Sequence, residues 1–334
     1  MDILINTYGT KVGASGERIV LSFPNTTEKR EYPIRRVEKI VVLKPASVTT
    51  HAVQLALTHD IDIVYLGSFG KPLGRLFSSE PRGLANLRRA QLEVAVSDKS
   101  FEIARTLVIG KCKNQISYLH RLAYIYSKDF GKEIAQAEAI LETALSIPNN
   151  DKGKAQLLGV EGFIADRYFS CLKKLFRFGG RKPQGRDKFN SALNYGYGIL
   201  YNEIERICLY VGLDPYLGLY HSERYGKPSL VLDLIEEFRV PIVDSVVFPL
   251  FIEKKINKEH FENISKGEYQ LSTKGKAVIV EAVMNRLNQR VMWKKKAQLL
   301  KNIIELQIRS LGRHFLGKEK RVVTFDTKLL FKDE

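Results

Sequence analysis

Over residues 1–80 the apolar positions come in short runs rich in Ile, Val and Leu, broken by Gly and Pro. Ile3-Leu4-Ile5 opens a strand, and Gly9, Gly13 and Gly16 punctuate a hairpin-like turn before the strand Arg18–Phe23. Further strands are predicted at Val37–Leu43, Ile61–Leu66 and Leu73–Ser78, on their β-branched content and turn-forming boundaries. One short helix interrupts them. Thr49 or Thr50 can cap it, and Val53, Leu55, Ala56 and Leu57 supply its apolar side.

From about residue 84 the period changes to that of a helix. Ser97 or Asp98 caps a long helix reaching Tyr126, and a second spans 131–146 and stops before Pro148. Asn150 or Asp151 then caps 152–176, and helices follow at 187–211, 228–238, 242–253, 275–288 and 291–313. The pattern predicts an α+β chain: a small β-rich N-terminal domain, residues 1–85, and a larger all-α C-terminal domain, residues 86–334.

Three positions in the helical part attract chemical interest. A stripe of Leu158, Glu161, Ala165, Tyr168, Leu172 and Leu175 places Glu161 among core residues. A buried carboxylate is costly unless protonated, ion-paired or bound to a metal. Taken by itself, that pattern is met by a salt bridge at a helix–helix contact. In Pro228–Arg239, Val231, Ile235 and Phe238 form one apolar stripe, while Asp233, Glu236 and Glu237 share another side at spacings of three and four. Like charges so spaced repel, and need solvent, basic neighbours or a cation. His221 lies in the loop-like stretch Gly218–Ser222, and histidine is both a common metal ligand and a proton carrier.

Charge narrows the partner. The 334 residues carry 53 Lys plus Arg against 37 Asp plus Glu, a formal net charge of +16, which favours a polyanion such as nucleic acid. Lys173, Lys174, Arg177, Arg181, Lys182, Arg186 and Lys188 crowd a Gly- and Pro-containing loop between helices, and long basic side chains there suit phosphate contacts. A second basic enrichment runs from Arg290 to Arg321. The three cysteines, Cys112, Cys171 and Cys208, make no CxxC pair or Cys/His cluster, so neither a disulfide framework nor a zinc site is expected. No Walker A, GxGxxG or GxSxG element is present. The N-terminus lacks a signal-peptide pattern and no apolar run spans a bilayer, so a cytoplasmic protein without membrane partners is expected.

Together these segments resemble a known family. Glu161 in GVEG, His221 in GLYHSERYGKPSLVLDL, and Asp233 and Glu236 in LDLIEEFR are similar, in order and spacing, to the CRISPR-associated spacer integrase family, the endonuclease-like enzymes of adaptation. The stretch Arg181–Asn190, with Leu193 and Tyr195, resembles that family's loop and following helix, and Ser47–Leu66 resembles its first domain.

The resemblance implies a β-rich dimerisation domain, a helical catalytic domain and a homodimer. It implies catalytic residues Glu161, His221, Asp233 and Glu236, with Mg²⁺ or Mn²⁺ held by Glu161, His221 and Glu236. Helical spacing leaves open whether Glu236 or Glu237 faces the metal. DNA contacts are expected from Lys173, Lys174, Arg177, Arg181, Lys182, Arg186, Asn190 and Arg224. The implied activity is insertion of short foreign DNA fragments into a CRISPR array, by attack of a 3′-hydroxyl on a phosphodiester. Expected partners are double-stranded and branched DNA, the CRISPR repeat and the small second adaptation protein. The alternative is a non-catalytic DNA-binding scaffold in which the acids only anchor helices.

Overall fold

The computed structural model describes residues 1–37, 39–59, 61–66, 72–76, 78, 84–220 and 226–331. The chain divides into two compact units, Met1–Ala85 and Asn86–Glu334.

The first unit is strand-rich. Strands β1 (Asp2–Ile5), β2 (Lys11–Ser15), β3 (Arg18–Ser22), β4 (Lys29–Pro33), β5 (Lys39–Val42), β6 (Ser47–Val48), β7 (Asp62–Leu66) and β8 (Pro72–Leu76) form two four-stranded sheets, ordered β1-β5-β7-β8 and β4-β3-β2-β6. Helix α1 (Thr50–Thr58) is capped by the Thr49 hydroxyl, which accepts from the Ala52 N–H. Ile3, Ile5, Val12, Ile19, Ile40 and Ile63 make one core with Ala52 and Ala56 of α1. Gly13 lies inside β2, paired with Val20 of β3, rather than in a turn. Strand β4, KREYP, was not expected because its charges hide the period of two; its Tyr32 packs against the core while Lys29, Arg30 and Glu31 stay exposed.

The second unit is mostly helical: α2 (Leu84–Ala95), α3 (Lys99–Tyr126), α4 (Gly131–Thr143), α5 (Asp151–Lys173), α6 (Lys188–Val211), α7 (Ser229–Phe238), α8 (Ser245–Ile252), α9 (Thr273–Leu287) and α10 (Leu300–Phe315). Asn150 caps α5 through Gly153 N–H, and Asp187 caps α6 through Asn190 N–H. A π-helical turn, Arg239–Asp244, joins α7 to α8, around Pro241, which has no N–H to donate. Gly196 of α6 faces this turn, where an added Cβ would lie 2.7 Å from Val243.

Two hairpins interrupt the helices: β9 (Phe261–Ser265) with β10 (Glu268–Leu271), and β11 (Arg290–Trp293) with β12 (Lys296–Leu299). The second corrects the helix predicted over 291–313. Lys294 and Lys295 both adopt positive φ, 47° and 66°, and turn the chain, so only the part from Leu300 is helical. In β11, buried Val291 and Trp293 alternate with exposed Arg290 and Met292, a strand period that the surrounding lysines obscured. Among the described residues no helix is long and apolar enough to cross a membrane.

Candidate functional site

Helix α3 packs against both α5 and α7, and the acids meet at that junction. Glu161 is not in the centre of the core stripe of α5. The buried positions are Leu157, Val160, Ile164, Tyr168, Cys171 and Leu172, whereas Leu158 is 60% exposed. The stripe is therefore rotated by one residue from the expected one. Glu161 sits at its edge, its side chain 15% exposed, able to reach neighbouring helices and still touch solvent.

Helix α7 is buried almost all round, including Asp233, Glu236 and Glu237. Each acid has a different partner, which is how three close carboxylates are tolerated. Asp233 Oδ2 accepts from the backbone N–H of Leu219 (2.6 Å) and Tyr220 (3.1 Å), fixing the chain up to residue 220. Glu236 Oε2 lies 2.6 Å from Lys111 Nζ, and its Oε1 lies 2.9 Å from Arg239 Nη2. Glu237 turns away and accepts from the Phe325 N–H at 2.6 Å. Asn114 of α3 donates to the carbonyls of both Glu237 and Phe325, completing that join.

Lys111 gathers the first pair. Its ammonium donates to Glu161 Oε1 at 2.5 Å as well as meeting Glu236. Tyr220 OH donates to the other Glu161 oxygen at 3.3 Å. Burial pulls the Lys111 ammonium toward deprotonation, but Glu236 and Glu161 outweigh it and hold its pKa above the ordinary lysine value. For Arg239 the same opposition between burial and Glu236 ends above the ordinary arginine value. Glu237 has no such cation among the described residues: burial pushes its carboxyl up to about 8, against the pull of the Phe325 N–H.

A second buried acid follows in the π-helical turn. Asp244 accepts from Tyr168 OH at 2.8 Å and Tyr197 OH at 2.6 Å. Burial raises its pKa to about 6, with the two hydroxyls, Arg239 and Arg181 opposing. The Arg181 and Arg239 guanidiniums both lie over the Tyr197 ring, 5.4 Å and 5.1 Å from its centroid, a cation–π arrangement that links the basic loop to the acids.

The basic loop has an inside and an outside. Asn190, expected to touch DNA, is fully buried. Its Oδ1 accepts from Arg181 and from the Lys182 N–H, while its Nδ2 donates to the Gly180 carbonyl and to Asp187. It organises the loop from within. Arg181 is half-buried in the same network. Lys173, Arg177, Lys182 and Arg186 are exposed, Arg186 beside Glu268, and Lys174 pairs with Glu133 at 2.8 Å. Next to the loop, a concavity of about 440 Å³ is lined by Arg177, Lys188 and Lys258 with Phe178, Phe261 and Tyr269.

His221 and Arg224 lie outside the described residues. Among the described residues no group of three or more His, Cys, Asp or Glu side chains gathers in a metal-binding arrangement. The fit to a divalent ion therefore rests on Glu161 and Glu236, whose oxygens flank one cationic nitrogen. Two carboxylates converging on a cation are the hard oxygen donors that Mg²⁺ or Mn²⁺ takes. Lys111, Arg239 and Tyr220 carry no sequence signal of their own. Lys111 is one of two lysines in GKCKN, and only packing distinguishes the buried one from exposed Lys113.

Comparisons with known proteins give the family and the fold. The family model described as CRISPR associated protein Cas1 matches residues 3–285. A relative named CRISPR-associated endonuclease Cas1 1, from Pyrobaculum aerophilum, is 35% identical over 251 residues, covering 75% of this chain and 82% of the relative. One named CRISPR-associated endonuclease Cas1 3, from Thermus thermophilus, is 33% identical over 88% of this chain and 87% of its own length. Among solved structures, a casposase bound to integration product superposes with a TM-score of 0.74 at 24% identity, covering 98% of this chain and 97% of that one. A Cas1 protein from Thermotoga maritima gives 0.71 at 20% identity, over 96% and 97%.

Proposed function

Since the chain belongs to the Cas1 family of CRISPR-associated proteins, we propose that it is a metal-dependent DNA integrase and endonuclease that inserts short foreign DNA fragments into a CRISPR array. The observation that carries this reading is the convergence of Glu161 and Glu236, 75 residues apart in sequence, on one cationic position.

The reaction is phosphodiester transfer. The 3′-hydroxyl of a fragment attacks a phosphorus of the target, a new P–O bond forms, and the target strand leaves with its own 3′-hydroxyl. Water in place of the fragment gives hydrolysis, and a reversed order undoes a branched joint. Glu161 and Glu236, with His221 as the expected third ligand, would hold Mg²⁺ or Mn²⁺. When bound, that ion polarises the target phosphate and stabilises charge on the attacking or leaving oxygen.

The remaining residues prepare the site. Asp233 acts through the backbone, locking residues 219 and 220 so that the chain enters 221 from a fixed point. Arg239 holds the second oxygen of Glu236, and Tyr220 holds the second oxygen of Glu161, so neither carboxylate rotates freely. The exposed Lys173, Arg177, Lys182 and Arg186 supply phosphate contacts, with Arg224 as an expected addition. The aromatic and basic concavity beside them suits an unpaired stretch of DNA, where bases stack and cations follow the backbone. The proposed assembly is a homodimer made through the strand-rich unit, joined by the small second adaptation protein. A solved partial Cas6-RT-Cas1–Cas2 complex contains a chain that superposes on this one with a TM-score of 0.75 at 18% identity, over 98% and 99%.

A scaffold reading has one observation in its favour: both acids are already ion-paired, as helix-anchoring acids are. Strand joining separates the two. Purified protein, a fragment with free 3′-hydroxyls, repeat-containing DNA and Mn²⁺ should yield joined strands, and Glu161→Gln should yield none while still binding the DNA. DNA binding without any joining by the wild type would leave only the scaffold, and joining at the normal rate by Glu161→Gln would remove Glu161 from the chemistry.

A further inference from the structure

The two acids do not wait apart for a metal. Lys111 Nζ stands between them, 2.5 Å from Glu161 Oε1 and 2.6 Å from Glu236 Oε2. The lysine reaches in from α3, whereas the acids come from α5 and α7. Cys112 is fully buried, and an added Cβ at Gly110 would meet Thr324 at 2.6 Å, so α3 is held tightly on that side.

Among the described residues, the ion pairs of the two acids balance. Glu161 and Glu236 carry two negative charges, and Lys111 and Arg239 carry two positive ones within ion-pair distance. A divalent ion entering this group leaves a surplus of two positive charges in a partly buried space, where like charges repel strongly. One cation must give way. Arg239 is bound to Glu236 from the next turn of the same chain segment and lies against the Tyr197 ring. Lys111 ends in a compact ammonium on a flexible four-carbon stem, and it occupies the place that both carboxylates share.

We propose that Lys111 is a built-in counter-ion that holds Glu161 and Glu236 together in the metal-free protein and is displaced by the divalent ion, so that this one residue sets how tightly the metal binds. The inference rests on the metal reading of the Glu161/Glu236 pair. Lys111 is thus a positioning residue, and exchange of its ammonium for the metal links metal loading to a movement of a side chain on α3.

The test uses the full chain: wild type, Lys111→Met, Glu161→Gln and the double variant Lys111→Met/Glu161→Gln. Mn²⁺ affinity is measured by titration calorimetry, and thermal unfolding is followed in chelator and in excess Mn²⁺. Removing one partner of a buried ion pair leaves uncompensated charge. Lys111→Met should therefore unfold at lower temperature in chelator and gain more from Mn²⁺ than wild type. It should bind Mn²⁺ at least about tenfold more tightly, because no internal cation has to be expelled. The double variant should recover stability in chelator without any metal, since one of the two facing charges is gone.

Equal or weaker Mn²⁺ binding by Lys111→Met would overturn the proposal. So would a double variant no more stable in chelator than Lys111→Met, or a Lys111→Met that stays unfolded in Mn²⁺. Folding of Lys111→Met only when Mn²⁺ is present is the extreme form of the expected result. The metal reading fails separately, and is recognised by wild type and Glu161→Gln binding Mn²⁺ equally. If wild type binds, Glu161→Gln does not, and Lys111→Met matches wild type, only the counter-ion role falls.

Discussion

Glu236 and Glu237 are adjacent, equally buried and chemically identical, but α7 delivers them to opposite regions. Glu236 meets Lys111 and Arg239 and shares Lys111 with Glu161. Glu237 meets the backbone N–H of Phe325 and joins α7 to the C-terminal segment with the help of Asn114. The first region compensates its acids with side-chain cations, the second with a backbone N–H donor. A carboxylate compensated by an exchangeable cation is ready for another cation. One satisfied by the backbone is a structural joint, and burial pushes its carboxyl up to about 8, so it is mostly protonated near neutrality.

The largest effect should come from breaking the first region alone. Glu236→Gln keeps size and removes charge, and losing several kcal/mol of transition-state stabilisation corresponds to a fall of about 10³-fold in the single-turnover joining rate. Glu237→Gln should stay within about threefold of wild type. A deep loss in Glu237→Gln would dissolve the contrast between the two regions.

Next in size is the structural joint. Glu237→Ala orphans the Phe325 N–H and opens a void beside it, so urea unfolding should show a loss of about 2–4 kcal/mol. Glu237→Gln retains an oxygen to accept that N–H and should lose less.

The pH dependence then sharpens the difference. An acid whose folded pKa is raised favours folding while protonated, so its contribution is complete below the unfolded pKa and lost as pH rises through the folded one. For Glu237 that window runs from the ordinary 4.5 to about 8, and for Asp244 from 3.8 to about 6. Wild-type stability should fall between these limits as pH rises, and Glu237→Gln should flatten the upper part, from about 6 to 8. A wild-type unfolding midpoint that rises across that upper range and is unchanged in the variant would contradict this.

The smallest effect on chemistry, though not on binding, is expected from the outer loop. Replacing Lys173, Arg177 and Lys182 with Ala should flatten the slope of log affinity against log salt by about 0.9 for every duplex phosphate that these side chains no longer neutralise. Joining at low salt should change little. Asn190→Ala, by contrast, removes the amide that ties Gly180, Lys182 and Asp187 together, and belongs with the structural changes.

Much of this is legible in the amino-acid sequence. The strand-rich beginning, the helical remainder and most helix limits follow from period and caps: Thr49 and Asn150 each cap the helix that starts after them. Glu161 stands out because an acid in an apolar stripe needs an explanation, and Asp233 and Glu236 because like charges three residues apart repel. What escapes depends on tertiary packing. The register of α5 is off by one residue when read from the pattern, because Leu158 is apolar yet exposed, and Leu157 is the one that packs. The β11–β12 hairpin is hidden because Lys294 and Lys295 take a left-handed conformation more typical of glycine or asparagine. The choice between Glu236 and Glu237 requires knowing that the C-terminal segment comes back to α7 at Phe325. Lys111 requires knowing which helix α5 and α7 share.

The central claim is that Glu161 and Glu236 serve phosphodiester transfer by holding a divalent ion. The most direct measurement is strand joining by protein dialysed against chelator, assayed before and after adding back Mg²⁺ or Mn²⁺, beside Glu161→Gln treated the same way. The account predicts no joining in chelator, recovery on adding metal, and no recovery in Glu161→Gln. Undiminished joining in chelator, or full metal-dependent recovery in Glu161→Gln, would contradict it.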